Sequence, residues 1–308
     1  MWATELVYCS KKITVTMEDG VRWYSMSQAD DIREWLLNIG VNGMIPVQSP
    51  MSSRAELYSN ESKVTEAEAT RFRSIVGSLQ YYAKETRYDI ATAVNLVAQK
   101  SKEPTRGAQK ALNRILAYMV GTIDRALTVP RVKGTVWHFY VDSDHAGDRK
   151  FGDMRSRTGI ILLCNTMPYH WRSNKQTSTA RSSAEAETVA VSECAQDVQL
   201  RMWVAEEAGL DIQWPAKIRV DNKAAISFQQ KTNADSKLKG VFDLRLGWIR
   251  QLRDQGKIKT IKVKTDENLA DELTKPLPPI VRQKLLSVLK QLREELVRDF
   301  RGHVIAQR

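Results

Sequence analysis

The sequence predicts an α/β protein, a helix-rich block followed by a mixed sheet with helices packed on it. Three observations carry this. Apolar residues recur at helical spacing through Thr65–Lys84, and two further helical stretches reach Met119. From 131 to 278 three short strands, a long helix, and then alternating strands and helices follow in order, the pattern of a mixed sheet flanked by helices. Two of those strands run straight into an aspartate, WHFYVD at Asp142 and KIRVD at Asp221.

Residues 1–45 hold an extended pair and a helix. Lys12–Met17 alternates, Glu18-Asp19-Gly20 signals a turn, and Val21–Tyr24 returns. Ser27 is the expected cap of a helix to about Leu37, with Asp30 and Asp31 where carboxylates suit the helix dipole. Residues 46–130 form an α-rich segment. It opens with a Pro- and Ser-rich loop over 46–62, and helices follow over Thr65–Lys84, Asp89–Ala98 and Gly107–Met119.

Residues 131–278 change character. Strands are expected at Val136–Val141, Gly159–Cys164 and Tyr169–Arg172, then a long helix from Ser183 to Gly209. A strand at Ile218–Val220, helices from Lys223 and over Leu244–Asp254, a strand at Lys257–Lys264 and a helix from Asn268 complete it. Residues 279–308 read as a charged amphipathic helix.

Composition limits the function classes. The 308 residues suffice for two domains, and 42% hydrophobic with 27% charged residues describes a folded globular chain. No apolar stretch approaches the ~20 residues of a membrane span, so no membrane partner is expected. The start MWATELVYCSKK has no basic region ahead of an apolar block, so secretion is not expected. Cys9, Cys164 and Cys194 are odd in number and far apart, which argues against a disulfide framework or a cysteine zinc site. The four histidines, His138, His145, His170 and His303, have no metal-ligand spacing. A net charge of +11 suits a polyanionic partner, because Lys and Arg that neutralise phosphates release condensed counterions.

The chemistry concentrates in acidic residues. Aspartates at the ends of neighbouring strands project into one crevice. Crowded carboxylates repel unless a cation neutralises them, and hard oxygen ligands suit Mg²⁺ or Mn²⁺. On the long helix Glu187 shares its face with Val191, Cys194 and Val198, an apolar stripe that should pack on the sheet. A carboxylate on a buried stripe needs a partner or a metal. Glu185 shares its face with Ser192, Gln196 and Gln199, expected at the solvent, and stands three residues after Ser182 in a capping box. In TDENLADELTKPLP, Asp266 suits a helix N-cap and Asp271 lies a turn further on. Spacing alone leaves both open as a fourth ligand.

The ordered motifs YVDSDHAGD, RSRTGIILL, ARSSAEAETVAVSE, RVDNKAA and NLADELTKPLP resemble the ribonuclease H domain of Copia-type retrotransposon Pol polyproteins. Upstream, PVQSPM, RSIVGSLQYYAKETRYDIATAV and KALNRILAYMVGT resemble the segment that joins reverse transcriptase to that domain. The resemblance implies a mixed five-stranded sheet flanked by helices at 131–278. It implies a reverse transcriptase palm edge at 1–45 and a thumb or connection segment at 46–130. It places the family's catalytic and metal-holding acidic set on Asp142, Glu187, Asp221 and Asp271. It leaves Asp144 as a polar loop residue. Two Mg²⁺ ions about 3.5–4 Å apart, with Mn²⁺ as a substitute, would then serve hydrolysis of the RNA strand of an RNA–DNA hybrid. The implied products are a 5′-phosphate and a 3′-hydroxyl, and the hybrid would be recognised by groove shape and 2′-hydroxyls.

Arg149, Lys150, Arg155, Arg157, Trp171, Arg172 and Lys175 flank the first strands and are the expected nucleic-acid contacts. Other parts of the Pol polyprotein are expected partners. The expected location is the cytoplasm, within a virus-like particle, or the nucleus. The sequence departs from the family in two places. It carries no Tyr-x-Asp-Asp motif of the polymerase palm, and Ala29-Asp30-Asp31 reads as helix capping, so no polymerase activity of its own is expected. Val241 and Gly247 stand where relatives carry histidines. Those departures motivate an alternative, a catalytically inactive nucleic-acid-binding remnant of a decayed element. A third reading, a DNA-cutting transposase or integrase, fits the upstream block and the closing motif less well.

Overall fold

The alternation after Lys11 forms a β-ribbon in the computed structural model, which describes residues 4–230 and 241–306. Strands β1 (Glu5–Tyr8), β2 (Lys11–Glu18) and β3 (Val21–Ser27) pair antiparallel in sequence order. Asp19 and Gly20 both take positive φ, the conformation a tight two-residue hairpin turn demands. Helix α1 (Ala29–Asn38) begins after Gln28, not at a Ser27 cap, because Ser27 is still paired in β3. The Ser27 hydroxyl nevertheless accepts from the Ala29 amide at 3.0 Å. Asp30 and Asp31 occupy the first turn, as expected for capping chemistry, and Asp30 pairs with Arg33 at 3.0 Å.

Helix α2 (Glu66–Glu85) starts at a reciprocal cap. The Thr65 hydroxyl accepts from the Glu68 amide, and the Glu68 carboxylate accepts from the Thr65 amide. The next helix is divided: a 3₁₀ turn at Tyr88–Ile90 precedes α3 (Ala91–Ala98). Helix α4 (Arg106–Val120) follows, and β4 (Leu127–Pro130) adds itself to β3. Ile32, Leu36, Phe72, Leu79, Ile90, Val97, Leu112 and Ile115 form the core of this unit, which comprises Met1–Arg131 and Pro276–Gln283. Within it lies a buried ionic cluster. Asp89 accepts from Arg87 at 2.9 and 3.0 Å, from the Tyr118 hydroxyl at 2.7 Å and from Arg125 at 3.2 Å. Arg282 stands within 3.5 Å of the same carboxylate.

The second unit comprises Val132–Lys275 and Lys284–Arg308. Its strands are β5 (Trp137–Asp144), β6 (Arg157–Cys164), β7 (Met167–Lys175) and, after α5 (Ser183–Glu207), β8 (Ala216–Val220). Helices α6 (Lys223–Gln230) and α7 (Val241–Asp254), then β9 (Ile258–Lys262), follow. The order across the sheet is β7-β6-β5-β8-β9. The first three strands are antiparallel neighbours, and β8 and β9 run parallel to β5. This is the mixed five-stranded sheet with flanking helices that the resemblance implied. Phe139, Val141, Ile160, Leu162, Ile218 and Val220 of the sheet meet Val191, Cys194, Val198 and Met202 of α5 in one core. Cys194 is buried in that core, whereas Cys9 is exposed and Cys164 half-buried, and all three are free thiols.

Three local expectations change. Ser192 is buried rather than solvent-facing, because α5 is enclosed on nearly all sides from Ala186 to Ser192. Asp144 is the last residue of β5, paired with Arg157, not part of a loop. After β9 the chain makes 3₁₀ turns at Thr265–Glu267 and Leu269–Leu273 instead of an α-helix from Asn268. The closing helix α8 (Pro279–Ala306) is present, and its Lys284 pairs with Asp266. Among the described residues no helix is long and apolar enough to cross a membrane.

Candidate metal centre

Strand register brings the first two carboxylates together. Phe139 lies beside Ile218 and Tyr140 beside Arg219 in the parallel pair β5–β8. Two residues further along the same register, Asp142 meets Asp221. Asp142 is still within β5, paired to Gly159, rather than directly after the strand as the sequence suggested. Asp221 is the residue after β8, as expected. The two parallel strands point their C-terminal ends to one side, where ligands bind in open sheets.

Helix α5 supplies the third group. Its N-terminus is fixed by Ser182, whose hydroxyl accepts from the Glu185 amide at 3.2 Å. Glu185 reaches back to the Arg181 amide at 2.8 Å, so its carboxylate is spent on the cap. Glu187 turns inward. One of its oxygens accepts from the Ser143 amide at 3.2 Å, and the other is buried with no hydrogen-bond partner among the described residues. Carboxylate oxygens of Asp142, Glu187 and Asp221 lie within 4.8 Å of one another.

Asp271 arrives on the second 3₁₀ turn, and the sheet is shaped to receive it. Asn268 accepts from the Ala270 amide at 3.2 Å and donates to the Val141 carbonyl at 3.0 Å, clamping the turn to β5. The Thr274 hydroxyl lies 2.5 Å from Asp142 Oδ2, to which it donates. Gly159 lets this segment approach: a Cβ there would stand 2.7 Å from both the Ala270 carbonyl oxygen and Thr274 Cγ2. Asp271 is 5% exposed, and its Oδ1 accepts from Lys275 Nζ at 2.9 Å. Asp266, the competing candidate, is an exposed residue paired with Lys284.

The cluster is electrostatically unbalanced. Burial pushes the Asp142 carboxyl up to about 8, and repulsion from Asp271 and Asp221 adds to this against the Thr274 bond and Lys275. Burial likewise raises Glu187 well above the usual carboxylate range, reinforced by Asp142 and Asp221. Burial opposes the Lys275 charge, but Asp271, Asp142 and Asp144 keep its pKa above that of an ordinary lysine. Buried hard-oxygen donors that repel one another, one of them without any partner, fit Mg²⁺ or Mn²⁺.

The basic candidates divide. Arg149 and Lys150 are exposed on a 3₁₀ turn after β5. Arg155 pairs with Asp153 at 3.0 Å, Arg172 with Asp197 at 3.0 Å, and Lys175 with Asp153 at 2.7 Å. Trp171 is half-buried on β7. Arg157 is turned into the sheet, 2% exposed, and donates to the Ser173 carbonyl and hydroxyl, so it offers no surface to a phosphate. Gly247 is exposed within α7, the Val241 side chain lies outside what is described, and Lys237–Gly240 fall outside the described residues. Sequence reasoning missed Ser143, Gly159, Asn268, Thr274 and Lys275 as supports of the site. All five sit inside the quoted motifs, so the motifs carried the signal.

Comparison with known proteins gives the same context. No family model matches the chain. It is 34% identical over 264 residues, 85% of this chain, to the retrovirus-related Pol polyprotein from transposon RE1 of Arabidopsis thaliana. It is 34% identical over 238 residues, 77% of this chain, to that from transposon RE2 of the same plant. The chain spans only 18% and 16% of the length of these two polyproteins. Among solved structures, an RNase H1 isolated from compost aligns with 45% of this chain and 91% of its own, at 17% identity and a TM-score of 0.34. The site is a buried carboxylate cluster at the strand ends of an α/β sheet. The chain that carries it belongs to the family of retrovirus-related Pol polyproteins of Copia-type transposons.

Proposed function

We propose that this chain hydrolyses the RNA strand of RNA–DNA hybrids, with divalent cations held by Asp142, Glu187 and Asp221 and a further ligand from Asp271. One observation carries the reading. Three elements distant in sequence converge their carboxylates within 4.8 Å, around a buried Glu187 oxygen with no hydrogen-bond partner among the described residues. Such a cluster is stable when a cation supplies the missing charge.

Bound Mg²⁺ would lower the pKa of the attacking water and stabilise charge on the scissile phosphate and leaving oxygen. The chain's own residues do the positioning. The Ser143 amide orients Glu187 and the Thr274 hydroxyl orients Asp142, while the Asn268 clamp holds Asp271 over the sheet. Arg149 and Lys150 offer exposed charge for backbone phosphates. Arg155, Arg172 and Lys175 would engage phosphates only by exchanging their carboxylate partners. We read residues 1–45 and 46–130 as reverse transcriptase-derived edge and connection segments, 131–278 as the nuclease domain and 279–308 as a separate closing helix. Such a chain would act where reverse transcription takes place, in a cytoplasmic particle or the nucleus, alongside the rest of the polyprotein.

The test is a hybrid labelled on each strand in turn, incubated with the purified chain in Mg²⁺ and in Mn²⁺. Metal-dependent cutting of the RNA strand, absent in Asp142→Asn, is expected. Salt-sensitive binding without cutting would make the chain the inactive remnant instead, and cutting of duplex DNA ends would make it a transposase-like nuclease.

A further inference from the structure

Asp271 differs from the other carboxylates in what it touches. Asp142 is met by a hydroxyl and Glu187 by a backbone amide, and both donors are neutral. Asp271 is met by an ammonium, Lys275 Nζ, at 2.9 Å. The chain itself enforces this meeting. Lys275 lies four residues after Asp271, and its amide donates to the Asp271 carbonyl at 3.4 Å, as does that of Thr274 at 3.2 Å. Side chains at that spacing share one face.

The two partners are unequally held. The Asp271 side chain is 8% exposed and fixed by its turn, whereas that of Lys275 is 38% exposed. An ammonium on a four-carbon stem is a compact, strongly hydrated charge with rotatable donors. Its hydrogen bond goes to Asp271, with Asp142 and Asp144 near enough to favour its charge, and it can swing toward water without disturbing the backbone. An arginine fork at the same place would be harder to release. The trio of Asp142, Glu187 and Asp221 closes to 4.8 Å, and Asp271 stands outside that trio with its own cation.

We propose that Lys275 is the resting counter-cation of this centre, neutralising Asp271 in the metal-free protein and competing with the second divalent ion for that carboxylate. This rests on the reading of the site as a two-ion centre. The first ion then enters the Asp142–Glu187–Asp221 trio, to which Lys275 makes no hydrogen bond. The second must displace the ammonium, so it binds more weakly, and loading of the centre becomes ordered.

The test uses the full chain, stripped of metal with a chelator and titrated with manganese chloride. Heat of binding and bound Mn²⁺, counted by electron paramagnetic resonance, are followed together. Two classes of site are expected in the unaltered chain. Lys275→Met should tighten the weaker class by about tenfold or more and leave the tighter class unchanged. Metal-free Lys275→Met should also melt at a lower temperature, with the gap closing in saturating Mn²⁺. Lys275→Arg keeps the charge and should leave the weaker class as weak or weaker. An unchanged or weakened second class in Lys275→Met, with the first intact, overturns the proposal. If Lys275→Met does not fold, a tightened second class in Lys275→Arg overturns it instead. Absence of any Mn²⁺ binding by the unaltered chain overturns the metal-centre reading itself, and this proposal with it.

Discussion

Asp89 and Asp142 are buried to nearly the same degree, 3% and 4% exposed, yet their surroundings are opposite. Burial alone disfavours the charge of either. Around Asp89 the guanidiniums of Arg87, Arg125 and Arg282 outweigh that penalty and hold the carboxyl well below the usual range. Around Asp142 the neighbours are carboxylates, and the group is pushed up to about 8. The Asp89 carboxylate is neutralised within the protein. The Asp142 cluster sets the Lys275 ammonium against four carboxyl groups, a deficit that a divalent cation would fill. A buried acid that the fold neutralises itself is structural, and one that the fold leaves in deficit marks a place for something else.

The largest effects should come from neutralising each aspartate. Asp142→Asn should lower metal-dependent cleavage by on the order of 10³-fold or more, measured under single turnover. The same change should leave the metal-free protein as stable or more so, because it removes repulsion. Asp89→Asn should do the reverse. It strips the partner from buried guanidiniums and should cost about 3–5 kcal/mol in denaturant unfolding. A stability loss in Asp142→Asn larger than in Asp89→Asn would break the comparison.

Gly159→Ala should come next. The added methyl would stand 2.7 Å from the Ala270 carbonyl oxygen and push away the turn that carries Asp271 and Thr274. A stability loss of about 1–3 kcal/mol is expected, with weakened metal binding by calorimetry. Retention of wild-type metal affinity would show that the turn's close approach is dispensable.

The pH dependence sharpens the contrast. Burial beside Asp271 and Asp221 raises the Asp142 carboxyl from about 3.8 to about 8 on folding. Its contribution to the metal-free protein is therefore fully present below about pH 4 and is lost as pH rises through 8. The Asp89 pKa is lowered on folding, so its contribution persists upward and is lost only in strong acid. Metal-free protein should thus melt lower at pH 9 than at pH 6, and the stabilisation by Mg²⁺ should grow over that interval. A flat Mg²⁺ response across it would contradict the raised Asp142 pKa.

The smallest effect concerns orientation. Thr274→Val removes the hydroxyl bonded to Asp142 while keeping the side chain's shape. A fall in metal affinity of about tenfold is expected by titration, with little change in fold.

Much of the fold was legible because its signals are local. The Glu18–Gly20 turn, the Thr65 cap and the α5 stripe through Val191, Cys194 and Val198 each announce themselves within a few residues. Strand β1 did not, since all four residues are exposed and no alternation marks it, and β4 ends on a proline that discourages a strand reading. The turns after β9 read as an α-helix because Asn268 caps a 3₁₀ turn with the same chemistry. In the site, Asp221 and Glu187 followed from strand ends and helix faces. Asp271 needed the family motif, because its place depends on a long-range clamp from Asn268 to Val141. Arg157 looked like a phosphate contact because only the pairing of β6 with β7 shows that its side chain turns inward.

Thermal unfolding at pH 8 with and without Mg²⁺ decides whether a divalent cation completes the Asp142 cluster. Mg²⁺ should raise the melting temperature of the unaltered chain by about 4 °C or more. Glu187→Gln, which removes charge from the buried carboxylate, should melt higher without metal and should not respond to Mg²⁺. An unaltered chain indifferent to Mg²⁺, or a Glu187→Gln chain that responds equally, would contradict completion of the cluster by a cation.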